Sequence, residues 1–199
     1  MTEAITIAAV VEGDGEVKAL PVLLRRIAEE LSIRTVAIPP PRRVPRSKLL
    51  SPGGVESAVL QASYQVDGRG GILLLIDADD DCPAALGPEL LARAGRARSD
   101  RNISVVLANR EFESWFLAAA PSLAGRRGLA SPLEPPVDPE GPRDAKGWLS
   151  VRKVDGTSYR PTVDQAGLAM VFDMAQARKN APSFDKFWRD VARLLEGGR

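Results

Sequence analysis

Two apolar runs that stop abruptly at acids constrain this chain more than any other feature. "ITIAAVV" (5–11) leads straight into "EGDGE" (12–16), and "GGILLLID" (70–77) into "ADDD" (78–81). Aliphatic and β-branched runs without alternating polar positions belong to strands buried on both faces, and such strands occur in parallel sheets layered between helices. The intervening sequence supports that reading. Val17, Leu20, Leu23, Leu24, Ile27 and Leu31 recur at helical spacing and predict a helix over about 16–31, with Pro21 in its first turns. "IRTVAIP" (33–39) predicts a second strand, stopped by Pro39, Pro40 and Pro41. The basic stretch "PPPRRVPRSKLLSPGG" (39–54) reads as a surface loop, and a helix follows over about 55–65.

After the third strand, "GGILLLID", a helix is predicted over about 83–98, with Leu86, Leu90, Leu91 and Ala94 on one face. "ISVVLA" (103–108) is a fourth strand, and "EFESWFLAAA" (111–120) opens another helix. The β-α-β-α-β-α-β order predicts an α/β core over residues 1–120: a mostly parallel four-stranded sheet with helices on both faces. Residues 121–199 add a proline-rich excursion or mobile lid (about 125–143) and two amphipathic helical patterns, about 163–178 and 184–195, packed on the same domain. Those C-terminal helices suit either packing within the chain or a homodimer contact.

In parallel α/β sheets, ligands bind beyond the carboxyl ends of the strands. Glu12 follows the first strand, and Asp77 and Asp79 close the third. If those two strands are neighbours, the three acids meet on one rim. Composition narrows what they can do there. The chain has no histidine, which excludes serine–histidine–acid and cysteine–histidine chemistry and every imidazole ligand. Its single cysteine, Cys82, excludes an internal disulfide and a cysteine-built zinc site. Carboxylates brought together repel, so at least one holds its proton more tightly or a cation joins them. An all-oxygen set suits magnesium or manganese. The glycines of "EGDGE" let the backbone approach closely, and the helix start beyond them offers amide hydrogens to a phosphate.

Other readings compete. Loop acids also cap helices and complement their dipoles. Asp81, just before Pro83, reads as a cap, and Glu16 fits a helix-start acid or a ligand. Glu111 and Glu113 fit either a first helical turn or the outer shell of a metal. "GDGEVK" begins like a dinucleotide fingerprint, but Lys18 stands where the third glycine belongs. A net charge of +1 gives no overall drive toward nucleic acid or a membrane surface, so a basic binding face has to be local. Arg46 in the proline loop and Lys146, Arg152 and Lys153 in "DAKGWLSVRK" (144–153) are among the candidates. In that segment Trp148 either stacks on a base or packs in the core. No window approaches the run of about 18 apolar residues of a membrane span. The first residues lack the basic start and cleavage site of a signal peptide, so a soluble cytoplasmic protein is expected.

"VVEGDGEVKAL" followed by "LLLIDADDD" resembles the Toprim domain of type II topoisomerases, bacterial primases and the overcoming-lysogenization-defect nucleases, a Rossmann-like fold. The chain as a whole, including "NREFESWFLA" and "PTVDQAGLAM", is similar to the bacterial domain-of-unknown-function family DUF4276. The resemblance places Glu12 on the Toprim glutamate, Asp77 and Asp79 on its Asp-x-Asp, and Glu16 on the second acid of the form found in the nuclease branch. It implies Mg2+- or Mn2+-dependent phosphodiester hydrolysis on DNA or RNA, in a defence or repair setting. Glu12, Asp77 and Asp79 would be catalytic, and Glu12, Glu16, Asp77, Asp79 and Glu113 would hold metal. Lys18, Lys146, Arg152 and Lys153 are the expected phosphate contacts. The only tyrosines, Tyr64 and Tyr159, lie outside any winged-helix segment. That argues against covalent strand passage and for a metal-activated water. The alternative is a non-catalytic regulatory or scaffolding module that keeps the acidic rim and acts with an ATPase or another protein partner.

Overall fold

A computed structural model describes residues 4–197. In chain order the elements are β1 (Ile5–Val11), α1 (Asp14–Glu30), β2 (Val36–Ala37), β3 (Arg42–Arg43), α2 (Arg46–Leu50), α3 (Gly54–Ser63), β4 (Gly70–Asp77), α4 (Pro83–Ala97) and β5 (Asn102–Ala108). There follow α5 (Ser114–Ala118), α6 (Ala120–Leu123), α7 (Ala145–Ser150), a π-helical turn (Pro161–Gln165), α8 (Ala166–Val171), α9 (Met174–Asn180) and α10 (Pro182–Leu195).

The strands form a parallel sheet in the order β2-β1-β4-β5, with β3 also paired to β1. β1 is buried at every position because its two faces feed two cores. Ile7, Ala9 and Val11 join Leu73 and Leu75 of β4 under α1, α5 and the C-terminal helices. Ala8 and Val10 join Ile72, Leu74 and Ile76 under α3 and α4. Period-two alternation between two covered faces favours apolar residues on both, so apart from Thr6 and the terminal Asp77 the strands read as apolar runs.

The second strand differs from the expectation. Two two-residue pieces share the outer edge of β1: β2 pairs with Ile5 and Thr6, and β3 with Val10 and Val11. Pro39, Pro40 and Pro41 between them have no N–H to give a ladder, so pairing stops and resumes at Arg42. The stretch read as a surface loop therefore contains β3 and α2, with Leu49 fully buried. Val44 N–H donates to Val11 O at 2.8 Å and closes that edge.

The predicted helix over 163–178 is broken into the π-helical turn, α8 and α9. Asp173 makes the break, its carboxylate accepting from the N–H groups of Ala175 (2.8 Å) and Gln176 (3.1 Å) as the cap of α9. Phe172, Phe184 and Phe187 then meet Trp115 and Phe116, with ring centroids 5.0–5.7 Å apart. The C-terminal helices thus bury these rings in the chain's own core. The 125–143 excursion is irregular and anchored: Leu129 and Leu133 are buried, and Glu140 accepts from Ser183 N–H (3.1 Å) and Asn109 Nδ2 (3.2 Å). Among the described residues, no helix is long and apolar enough to cross a membrane.

Candidate functional site

Because β1 and β4 are neighbours, with Val11 opposite Leu75, the acids that end them emerge side by side. This is where the sheet's order reverses: β1 is followed by strands on one side and then by β4 and β5 on the other, which leaves a crevice at the carboxyl ends. Asp77 is the last residue of β4, and Asp79 follows with a left-handed φ of 51°. α1 starts two residues beyond Glu12, at Asp14.

The glycines of "EGDGE" admit the chain's own side chains. A Cβ on Gly13 would overlap the Glu16 carboxylate. One on Gly15 would overlap the Gln165 amide oxygen and stand 2.8 Å from Pro161 Cβ. Without those methyl groups, Glu16 folds back toward the sheet and the π-helical turn packs directly on the start of α1.

The result is a buried polar cluster. Asp77 is 8% exposed and Glu113 0%. Asp77 Oδ1 accepts from Phe112 N–H at 2.8 Å. Glu113 Oε1 accepts from the Tyr159 hydroxyl (2.9 Å) and Gln165 Nε2 (3.3 Å), and the same amide reaches Glu16 Oε1 at 3.0 Å. The Lys146 ammonium lies 3.1 Å from Glu113 Oε2, 3.2 Å from Glu111 Oε2 and 3.9 Å from Asp77 Oδ2. Glu12 Oε2, Glu16 Oε2 and Gln165 Oε1 are buried without a hydrogen-bond partner among the described residues.

The electrostatics follow from that crowding. Burial, then the neighbouring Glu113, Glu12 and Glu16, push the Asp77 carboxyl well above its ordinary range against the pull of Lys146. Burial raises Glu113, opposed by Lys146 and the Tyr159 hydroxyl. Glu12 is raised by burial and by Asp79 and Glu16. Burial works to lower the Lys146 ammonium, but Glu113, Asp77 and Glu111 outweigh it and hold the proton on.

The outer rim is neutralised differently. Arg46 Nε meets Asp79 Oδ2 at 2.9 Å, and its Nη2 reaches Ala78 O (3.0 Å) and the Asp81 carboxylate. Asp81, expected to cap a helix, makes no cap; it pairs with Arg46. Asp80 takes both Arg110 and Arg143 at 2.9 Å. Glu111 and Glu113 both precede α5, and Glu113, at its N-cap, makes no capping bond. Among the described residues, no three carboxylates converge as a preformed ion site.

Of the expected phosphate contacts, only Lys146 stands among these acids. Lys18 donates to Thr162 O at 3.1 Å and ties α1 to the π-helical turn. Arg152 lies over the Trp148 ring, 3.7 Å from its centroid, and Trp148 is itself partly packed on the core. Lys153 is buried between Asp164 (3.5 Å) and Asp155 (3.6 Å). Sequence reading did not find Gln165, Tyr159, Arg110 or Arg143 as partners of the site. The one signal available was a glutamine inside the segment "PTVDQAGLAM", which has an amphipathic pattern and where a polar residue reads as solvent-facing.

Residues 11–192 match the model of a protein family described as Domain of unknown function (DUF4276), and the chain belongs to that family. No curated protein and no solved structure matches it.

Proposed function

We propose that this protein is a magnesium-dependent phosphodiesterase of Toprim type acting on nucleic acid, with Glu12, Asp77 and Asp79 holding a divalent ion beyond β1 and β4. One observation carries the reading: Glu12, Glu16, Asp77, Glu111 and Glu113 crowd the strand ends, Lys146 reaches only Asp77, Glu111 and Glu113, and Glu12 and Glu16 keep buried oxygens without partners among the described residues. Burying ionised carboxylates costs several kcal/mol each unless a counter-charge is close. The donor set fits a hard divalent cation: all oxygen, no histidine or thiolate, and acceptors left over. The resemblance of "VVEGDGEVKAL" and "LLLIDADDD" to the Toprim motifs supports the same reading.

A magnesium or manganese ion held there would supply Lewis acidity toward a phosphoryl oxygen and lower the pKa of a water. The chain's residues have separable tasks. Glu12, which keeps a buried oxygen without a partner among the described residues, would be suited to take a proton from the attacking water. Phe112 N–H fixes the orientation of Asp77, and Gln165 and Tyr159 fix Glu16 and Glu113. The test is cleavage of labelled single- and double-stranded DNA and RNA with magnesium or manganese. Glu12→Gln and Asp77→Asn should each abolish cleavage with the fold intact; cleavage retained in both refutes the mechanism.

The second reading is a regulatory or scaffolding module working with an ATPase or another protein. The Arg46 contact to Asp79 and the Arg110 and Arg143 contacts to Asp80 favour it, because the chain itself then neutralises the rim. Magnesium affinity without turnover on any of these substrates would support it.

A further inference from the structure

We infer that Lys146 is the built-in cation of the acid cluster and competes with a divalent ion for Asp77 and Glu113. The inference rests on the metal-site reading and concerns how that site is controlled. Three carboxylates from two parts of the fold, the end of β4 and the turn before α5, converge on one ammonium at 3.1, 3.2 and 3.9 Å. A lysine ammonium is a compact point charge with three donors on a flexible stem, the side chain that most nearly imitates a small cation.

Lys146 comes from a different structural unit than the acids it serves. Asp77 sits on the central sheet, whereas Lys146 is carried by the short helix α7, which follows the irregular 125–143 segment. Its side chain is 38% exposed, against 17% for Glu111, 11% for Asp77 and 0% for Glu113, so it is the most open member of the group. Its backbone N–H donates to the same Glu111 Oε2, at 3.3 Å, a bond that can hold the start of α7 when the side chain leaves.

The ammonium does not satisfy the cluster. Glu16 Oε2 and Gln165 Oε1, both on residues more than nine-tenths buried, have no partner among the described residues. A single positive charge also leaves the surrounding carboxylates in excess. A divalent ion that takes Asp77 would sit within a few ångströms of the ammonium, and the two cations repel at that distance. Lys146 therefore swings outward when the ion enters.

The test is calorimetric titration of manganese into wild type and Lys146→Met, which keeps the length of the side chain and removes its charge. The variant should bind manganese at least tenfold more tightly. Equal or weaker binding in a folded Lys146→Met, with wild type binding normally, overturns the inference and leaves the metal site standing. Absence of binding in both proteins, alone and with a short oligonucleotide present, removes the metal-site reading and the inference with it. A second measurement needs no variant. Reductive methylation of Lys146 in wild type, followed by mass spectrometry, should speed up on addition of manganese because the amine loses its three carboxylates. An unchanged rate at a manganese concentration that saturates the protein also overturns the inference.

Discussion

Adding one methyl group at Gly15 tests how tightly the acid cluster is built into the fold. Gly15 lies in the first turn of α1, where alanine is ordinarily the better residue by roughly 1 kcal/mol. Here the added Cβ overlaps the Gln165 amide oxygen and stands 2.8 Å from Pro161 Cβ. Gln165 is fully buried and the proline ring is rigid, so neither can move without shifting the π-helical turn. Overpacking of this kind costs about 1–3 kcal/mol. Displacing Gln165 Nε2 also takes a donor from Glu16 and Glu113, at about 1–3 kcal/mol for a buried acceptor left unpaired. Net of the helical gain, Gly15→Ala should destabilise the protein by about 1–5 kcal/mol. Urea unfolding reads the change as a lower midpoint with an unaltered slope. Gly95→Ala is the internal control: that glycine lies in α4, a Cβ there meets nothing within 4 Å, and the substitution should stabilise by roughly 0.5–1 kcal/mol. If Gly15→Ala is as stable as wild type, the π-helical turn is not packed on α1 in the way described.

Two further outcomes follow from the same cluster. The raised carboxyls of Asp77, Glu113 and Glu12 hold protons in the folded state that the unfolded chain releases above the ordinary values of 3.8 and 4.5. Stability from these groups is therefore complete below that range and declines as pH rises through it toward their folded values. Glu56, held down to about 2 by Arg93, and Asp100, held at about 2 by Arg98, have the opposite sign, and their changes are complete below that window. Thermal melts from pH 4.5 upward should show Tm falling in wild type, and falling less in Asp77→Asn; a wild-type Tm that climbs with pH there contradicts the burial of these acids. Tyr159→Phe removes the hydroxyl that donates to Glu113 at 2.9 Å and should cost about 1–3 kcal/mol in urea unfolding, with little loss if Glu113 is already wetted.

What could be read from the residues, and what could not, divides along a physical line. β1 and β4 were legible because burial on both faces erases polar alternation. The pairing of Glu12 with Asp77 then followed from parallel topology once the strands proved to be neighbours. The split between β2 and β3 was not, because a two-residue strand has no pattern of its own and exists only where β1 offers unpaired groups. The break at Asp173 was obscured because the apolar spacing of 163–178 continues through it, although an aspartate ahead of "MAQ" is a cap signal. Gln165 was invisible for a different reason. A glutamine in an amphipathic helix reads as solvent-facing, and only the Gly15 approach turns it inward. Lys18, Lys146, Arg152 and Lys153 look alike in sequence, yet their surroundings assign Lys18 to a carbonyl, Arg152 to an indole, Lys153 to a buried ion pair and Lys146 to the acids. A cation's role is set by its partners, and those come from distant segments.

The most direct test of the acidic rim as a metal centre is calorimetric titration of magnesium and manganese into wild type and Asp77→Asn, with circular dichroism confirming that both are folded. A metal centre at the acidic rim gives a saturable heat in wild type that disappears in Asp77→Asn. Wild-type protein that gives no saturable heat, alone or with a short oligonucleotide present to complete the coordination, contradicts it.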